Sequence, residues 1–287
     1  MKTATLPGRR LRLTRSVLGA LSMGAAVLAW PQQVTAESVD TELLLLVDST
    51  QRGLNNRDFD ALMDSYADAF SSAAVMNSIQ SGSYGKIAVS LVFFGNANTQ
   101  VVGIPWMSIG SAAEAQTFAA ILRAIDRPAS PGSIQVSNAL LAAIPLFGTE
   151  TGSAATNGFE SVSQIVEFVA ASTPAGNSTA GVAAAKNQAL ASGVDVINAI
   201  AVGNQSGNIA NYFANNVIGG ETGGVVASST NSALNGNLSN FLASQVSGQV
   251  GAGAAESLSA VPEPSALFAL AGGFGLLCLR RRRPALD

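Results

Sequence analysis

Short apolar runs alternate along this chain with segments in which apolar residues recur every three or four positions. The run at residues 42–47 is almost wholly apolar and ends at Asp48, which is typical of a strand buried on both faces. Residues 58–72 follow, and their apolar members share one helical face. That face is made of Phe59, Leu62, Met63, Tyr66 and Phe70. The pattern predicts a central strand followed by an amphipathic helix.

The same alternation continues through most of the chain. Further strands are predicted at residues 87–94, 99–104, 163–170 and 194–202, and further helices at 111–125, 136–144, 180–192 and 209–218. Because strands that alternate with helices form parallel sheets, we predict an α/β fold with a doubly wound, mainly parallel sheet and helices on both faces. The turn-rich residues 95–98 join two strands directly, so one antiparallel edge strand is expected.

The composition changes after Gly203, where Gly, Asn, Ser and Ala become dominant. This change predicts a flexible linker at residues 231–260. Within that linker, four apolar residues at helical spacing favour one short amphipathic helix. They are Leu238, Phe241, Leu242 and Val246.

The N-terminus has the pattern of an export signal. A basic segment precedes an apolar stretch at residues 17–30, and Val34-Thr35-Ala36 supplies the small residues that are typical before a cleavage site. The basic residues are Lys2, Arg9, Arg10, Arg12 and Arg15. We therefore predict a signal peptide at residues 1–36 with cleavage before Glu37, and a retained N-terminal anchor is the alternative. Both place the body of the protein outside the cytoplasm.

The C-terminus combines Pro262-Glu263-Pro264, an apolar segment at residues 266–279, and an arginine cluster made of Arg280, Arg281, Arg282 and Arg283. This combination resembles the PEP-CTERM sorting signal of bacterial proteins. The resemblance implies that residues 261–287 are a sorting signal with a transmembrane helix at 266–279, which an exosortase reads and cuts at the inner membrane. The apolar segment is shorter than the ~20 residues that span a bilayer unaided, so the arginines are expected to stay at the cytoplasmic surface.

Composition excludes several classes of function. The chain has no histidine, and its one cysteine, Cys278, lies in the predicted sorting helix. Histidine-dependent nucleophilic catalysis, histidine zinc sites and disulfides within the body are therefore excluded. Most arginines lie in the two end segments, so the body is acidic and lacks the basic stripe that nucleic-acid binding needs.

Four short motifs follow one another along the body. They are Asp48-Ser49-Thr50 after the first strand, Gly85-Lys86-Ile87-Ala88-Val89, Pro105-Trp106 and Ile218-Gly219-Gly220. In this order they resemble a bacterial branch, of unknown function, of the von Willebrand factor type A superfamily. The resemblance covers about residues 39–227 and implies a von Willebrand type A-like domain at residues 37–230, in which Trp106 is a packing residue.

The usual functional site of that superfamily is a metal-ion-dependent adhesion site, built from Asp-x-Ser-x-Ser, a distant Thr and a distant Asp. The resemblance implies Asp48, Thr50 and Ser133 as metal ligands and Mg²⁺ or Ca²⁺ as the ion. Arg52 replaces the second serine and would repel a cation, and no carboxylate follows the strand at residues 163–170. The sequence thus predicts a degenerate site and no cofactor. Retained metal binding and an Asp48–Arg52 ion pair in place of the metal are the two alternatives.

The function that these patterns predict is a non-enzymatic interaction protein whose binding face carries Asp48, Thr50, Arg52 and Ser133. Its partner would be a protein or polysaccharide at the cell surface or in the extracellular matrix of a Gram-negative bacterium. Signal peptidase and exosortase would process the chain through an inner-membrane intermediate, and no nucleic-acid partner is expected.

Two other functions remain open at this point: an extracellular hydrolase acting on polysaccharide or protein, and a passive matrix component. A hydrolase would need paired carboxylates in a cleft. The residues to examine for convergence with Asp48 are Glu160, Glu167, Asp195 and Glu221.

Overall fold

The computed structural model describes residues 36–96, 99–148, 157–174, 178–220, 222–228 and 231–247. The predicted signal peptide up to residue 35 and the predicted sorting signal at 261–287 lie outside these residues. Of the helices that are described, none has both the length and the apolar character needed to cross a membrane.

Six strands and seven α-helices are described. The strands are β1 (Glu37–Asp48), β2 (Ile87–Phe94), β3 (Gln100–Ile109), β4 (Phe159–Ala170), β5 (Val196–Val202) and β6 (Val225–Ser228). The helices are α1 (Asn56–Phe70), α2 (Ala73–Gln80), α3 (Ala112–Ala124), α4 (Val136–Ala143), α5 (Thr179–Ala191), α6 (Ser206–Asn216) and α7 (Asn231–Val246). A 3₁₀ turn, Ile144–Leu146, extends α4.

The strands form one sheet in the order β3-β2-β1-β4-β5-β6. All neighbouring pairs are parallel except β2 and β3, which form an antiparallel hairpin, so β3 is the antiparallel edge strand. The predicted fold class is therefore confirmed. β1 lies at the centre, where it pairs with β2 on one side and with β4 on the other.

Alternate side chains of β1 enter two separate apolar layers. Leu43, Leu45 and Val47 pack on the side that is covered by α1, α2, α3 and α7. Leu44 and Leu46 pack on the opposite side, against α4, α5 and α6. Because successive strand residues point to opposite faces, a continuous apolar run is the sequence that a strand covered on both sides requires.

The hairpin strand β3 is longer than predicted and continues through Pro105 and Trp106. Pro105 is tolerated because β3 is an edge strand and because the β2–β3 register shifts between Val89 and Leu91, opposite this point. Trp106 is half-buried: its indole N–H donates to the carbonyl of Leu146 at 2.8 Å, and its ring packs on Phe147 with centroids 5.5 Å apart. These contacts are those of a packing residue.

Two helices differ from the sequence interpretation. α2 was not predicted, although Ser72 caps its first turn by accepting from the Val75 N–H. α7 was predicted as a short helix inside a linker, but Leu238, Phe241, Leu242 and Val246 are all buried in the layer with α1. The folded domain therefore continues past residue 230, to Val246 at least.

We predict that Phe241→Ala lowers the free energy of unfolding by about 3–5 kcal/mol, because Phe241 is only 4% exposed and its loss leaves a cavity. Val162→Ala is the control, since Val162 is 71% exposed and its truncation should cost less than about 1 kcal/mol. Urea unfolding of the full-length chain measures both. Equal small losses would show that α7 does not contribute to the core in solution.

Candidate functional site

Asp48, the last residue of β1, is the acidic residue that the sequence analysis assigned to the site, and it lies at the carboxyl edge of the sheet. Asp48 is 4% exposed, and its Oδ1 accepts the Thr50 N–H at 2.7 Å. Ser49 ties the same turn to the end of β2, because both its backbone N–H and its hydroxyl donate to the Phe94 carbonyl, at 2.8 and 3.0 Å. The turn is therefore fixed, and the Asp48 carboxylate lies inside it.

Arg127 holds the backbone of this turn in place. It follows α3, and its guanidinium donates to the carbonyls of Ser49 (3.0 Å), Leu54 (2.9 Å) and Thr50. The guanidinium carbon also lies 4.9 Å from the centroid of the Phe59 ring on α1. The guanidinium carries five donors in a fixed planar arrangement, so it can bind three carbonyls at once. Sequence reasoning missed Arg127, since nothing in its neighbourhood marks it as different from a surface arginine.

Burial governs the protonation of Asp48. Removal of the carboxylate from water raises the pKa of Asp48 from 3.8 to about 6. The nearby dipoles of the Thr50 hydroxyl, the Thr50 N–H and the Ala171 backbone, together with the positive charge of Arg127, oppose this increase but do not cancel it. At neutral pH Asp48 is therefore a buried carboxylate whose negative charge is only partly compensated by its surroundings.

Several buried oxygens at this edge have no hydrogen-bond partner. Among the described residues eight buried side-chain atoms are unpartnered in this way, and half of them lie at the ends of β1 and β4 or in the loop between α3 and α4. These four are Asp48 Oδ2, Thr50 Oγ1, Ser130 Oγ and Ser172 Oγ. Since an unsatisfied buried oxygen is costly, their concentration makes this edge the candidate site for a ligand or ion.

Ser130, rather than the predicted Ser133, is the loop serine that the structure brings to Thr50. A Cβ placed on Gly95 would lie 1.6 Å from Ser130 Oγ and 3.4 Å from the Thr50 methyl, so both side chains converge on the same glycine. Ser133 is half-buried, and no contact places it beside Asp48. The two serines lie in one Pro-containing loop without periodicity, which is why the sequence could not distinguish them.

Arg52 does not form the ion pair with Asp48 that was one of the alternatives. Its side chain is exposed, and its Nε donates to the carbonyl of Gly132 at 3.1 Å, on the loop that also carries Ser130. The positive charge that acts on Asp48 is that of Arg127. Arg52 therefore links two loops at the rim of the site.

The end of β4 completes the edge. A Cβ on Gly53 would lie 2.0 Å from the Ala171 carbonyl oxygen, so only glycine allows the β1–α1 loop to approach β4 this closely. The next residue, Ser172, stands near the position where an aspartate was expected and supplies a hydroxyl instead. The donor set is thus one carboxylate and three hydroxyls, all oxygen, which is the type that hard cations prefer.

The carboxylates that a hydrolase would need do not converge with Asp48. Glu160 lies near the start of β4 opposite Ser38, ten residues before Asp48 on β1 and hence roughly 30 Å away along the strand direction. Asp195 precedes β5 and accepts the Gln164 N–H at 2.8 Å. Glu167 is enclosed in the core, and Glu221 lies outside the described residues.

Asp48→Asn should stabilise the metal-free protein. Because the pKa of Asp48 is raised in the folded state, its contribution to stability is lost as pH rises from about 3.8 through about 6. The difference in unfolding free energy between Asp48→Asn and wild type should therefore grow by about 2 kcal/mol from pH 4 to pH 7 in EDTA. Urea titration measures it, with Asp64→Asn on α1 as the control for loss of an exposed charge. A difference independent of pH would contradict this reading of Asp48.

The fold is similar to that of several solved structures. One is proximal thread matrix protein 1 from the mussel byssus, at 13% identity and a TM-score of 0.53, with 74% of this chain matching 49% of that one. The SpRpn10 VWA domain is 14% identical with a TM-score of 0.48, covering 75% of this chain and 98% of its own. A von Willebrand factor type A protein from Catenulispora acidiphila is 13% identical with a TM-score of 0.44, covering 73% and 43%.

This chain spans about half the length of the mussel protein that it matches, and at such identities the likeness establishes the fold alone. No curated protein sequence matches the chain significantly. Residues 38–250, however, match the model of a family described as "Protein of unknown function (DUF1194)". Because that match covers most of the chain, the protein belongs to this family.

Proposed function

We propose that this protein is a non-catalytic, adhesion-type interaction module that binds its partner at the carboxyl edge of β1, β2 and β4. A hard divalent cation, Mg²⁺ or Ca²⁺, would be held there by Asp48, Thr50, Ser130 and Ser172. The observation that carries the proposal is the concentration of buried oxygens without hydrogen-bond partners at this edge of the described structure.

The chemistry of the donor set supports a cation over an uncharged ligand. A cation would neutralise the buried Asp48 carboxylate and satisfy hydroxyl oxygens that now lack donors. One carboxylate leaves a bound divalent ion with net positive charge, so an acidic group of the partner would complete its coordination. Arg127 and Arg52 are positive charges nearby, and we therefore expect weaker binding than at a site with two carboxylates.

A hydrolase is disfavoured by the positions of the carboxylates described above, since Glu160 and Asp195 lie towards the other ends of their strands. A passive matrix component would need no binding site, and the unpartnered oxygens argue against it. The mussel byssus protein, which shares this fold, is a thread matrix protein, so an interaction role within a matrix is compatible with the fold.

The place of action that we propose rests on the two ends of the sequence. An N-terminal signal peptide and a PEP-CTERM signal would make signal peptidase and exosortase the processing partners, with an inner-membrane intermediate. The product would then act at the cell surface or in the extracellular matrix. A protein or polysaccharide that bears carboxylates is the ligand class that suits a cation at the Asp48 edge.

Calorimetric titration of the full-length chain with Mg²⁺, Ca²⁺ and Mn²⁺ tests the cation site. We expect binding that Asp48→Asn abolishes, because the only carboxylate of the donor set is lost. Ser130→Ala should weaken it about tenfold, the loss expected for one hydroxyl ligand. Ser133→Ala is the matched control in the same loop and should leave the affinity unchanged. No binding to the wild type would exclude the cation, and the opposite result for the two serines would reverse their assignment.

The partner class is tested by adsorption to alginate, a polysaccharide that carries carboxylates, with neutral dextran as the control. We expect cation-dependent retention on alginate that EDTA and Asp48→Asn both abolish. Retention unaffected by either would indicate a metal-independent surface elsewhere. Binding of metal without retention on any acidic polymer would restrict the partner to proteins.

A further inference from the structure

A second buried carboxyl lies in the core, away from the Asp48 edge. Glu167 is on β4, where its register neighbours are Leu45 of β1 and Asn198 of β5. It is fully buried, and its alternation with Ile165 and Val169 places it on the side covered by α1 and α7. The proposed binding site does not use it.

Glu167 is held by one side chain from each covering helix. The Tyr66 hydroxyl of α1 donates to Oε1, and the Gln245 amide of α7 donates to Oε2 at 2.6 Å. Among the described residues, Tyr66 is the titratable group that faces it from α1, whereas α7, β1 and β5 present Gln245, Leu45 and Asn198, which are uncharged. No described cation pairs with this carboxyl.

No described positive charge compensates an ionised Glu167, and its two hydrogen bonds come from neutral groups. The Gln245 Oε1 is buried without a partner, and rotation of the amide by half a turn would let it accept a hydrogen bond from the O–H of the acid form of Glu167. Burial raises the pKa of Glu167 from 4.5 to about 7, although the bonds from Tyr66 and Gln245 act in the opposite direction. The charge therefore appears in the core near neutral pH.

Of the elements around Glu167, α7 has the sequence least suited to a stable helix. β4 is paired on both sides, and α1 packs against α3 as well as α7. The helix α7 packs on α1 and α2, but it contains a glycine and four asparagines, which are poor helix formers, and it carries no charged residue. Among the side chains that the structure describes, those that attach it include four apolar residues and Gln245.

We propose that Glu167 is a proton-controlled latch for α7, which is docked on α1 while the carboxyl is neutral and is released into local opening when the carboxyl ionises. Opening of α7 lets water reach the carboxylate, which removes the cost of its burial. Because the pKa of Glu167 is raised in the docked state, docking stability is present at acid pH and is lost as pH rises from 4.5 through about 7. The device is independent of cation binding at Asp48.

Hydrogen–deuterium exchange of the full-length wild-type chain tests the latch. After correction for intrinsic exchange rates, the opening equilibrium of α7 should increase about tenfold between pH 6 and pH 8.5, as follows from pKa values of 4.5 open and about 7 docked. Amides of α4 that exchange through local fluctuations, without exposure of Glu167, serve as the internal reference and should not change. An α7 that is equally protected at both pH values would overturn the proposal, and so would an α7 whose opening equilibrium equals that of β1, since the helix would then open only with the whole domain.

Glu167→Gln is the decisive variant, because it keeps both hydrogen bonds and cannot ionise. It should protect α7 equally at pH 6 and 8.5, and a tenfold change in this variant would assign the effect to another group. Tyr66→Phe is the second variant: it removes a donor to the carboxylate, so the pH-dependent loss should extend to higher pH. Loss of pH dependence in Tyr66→Phe would contradict the latch even if Glu167→Gln did not fold.

Discussion

The pairing of β1 with β2 and β4 is the constraint on which the rest of the structure depends. Both neighbours run parallel to β1, so all three strands end at one edge, and the helices on both faces exclude water from them. Asp48 is the last residue of that buried strand and therefore enters the site already desolvated. A raised pKa and a need for compensating charge follow from its place in the sheet.

Arg127 shows how the chain builds a charged edge without an ion pair. Its guanidinium binds backbone carbonyls of the β1–α1 loop instead of the Asp48 carboxylate, so the loop is held while Asp48 Oδ2 stays unpartnered. A direct pair would have satisfied the carboxylate and closed the site. The arrangement keeps an acceptor available at the expense of stability, which is the pattern expected where binding rather than folding determines the residue.

Much of the fold could be predicted from the sequence because its signals are local. The bounds of β2 were predicted to the residue, since an apolar run between turns is sufficient to define a buried strand. α7 was placed in a linker because its Gly and Asn content hides four core residues, which become buried when the helix packs on α1 and α2. In the site, Ser130 and Arg127 were missed for the same reason: their roles depend on how loops pack around Gly95 and Phe59.

The two buried carboxyls illustrate why burial alone does not define a functional site. Asp48 and Glu167 both have raised pKa values because both are desolvated. Glu167 lies between helices in the core, where its oxygens have only neutral donors and no described cation compensates the ionised form. At Asp48, one carboxylate oxygen has no hydrogen-bond partner, and the nearby hydroxyls also lack partners, at an edge where loops meet. The first surrounding suits a proton, whereas the second suits a cation and the partner that it would bridge.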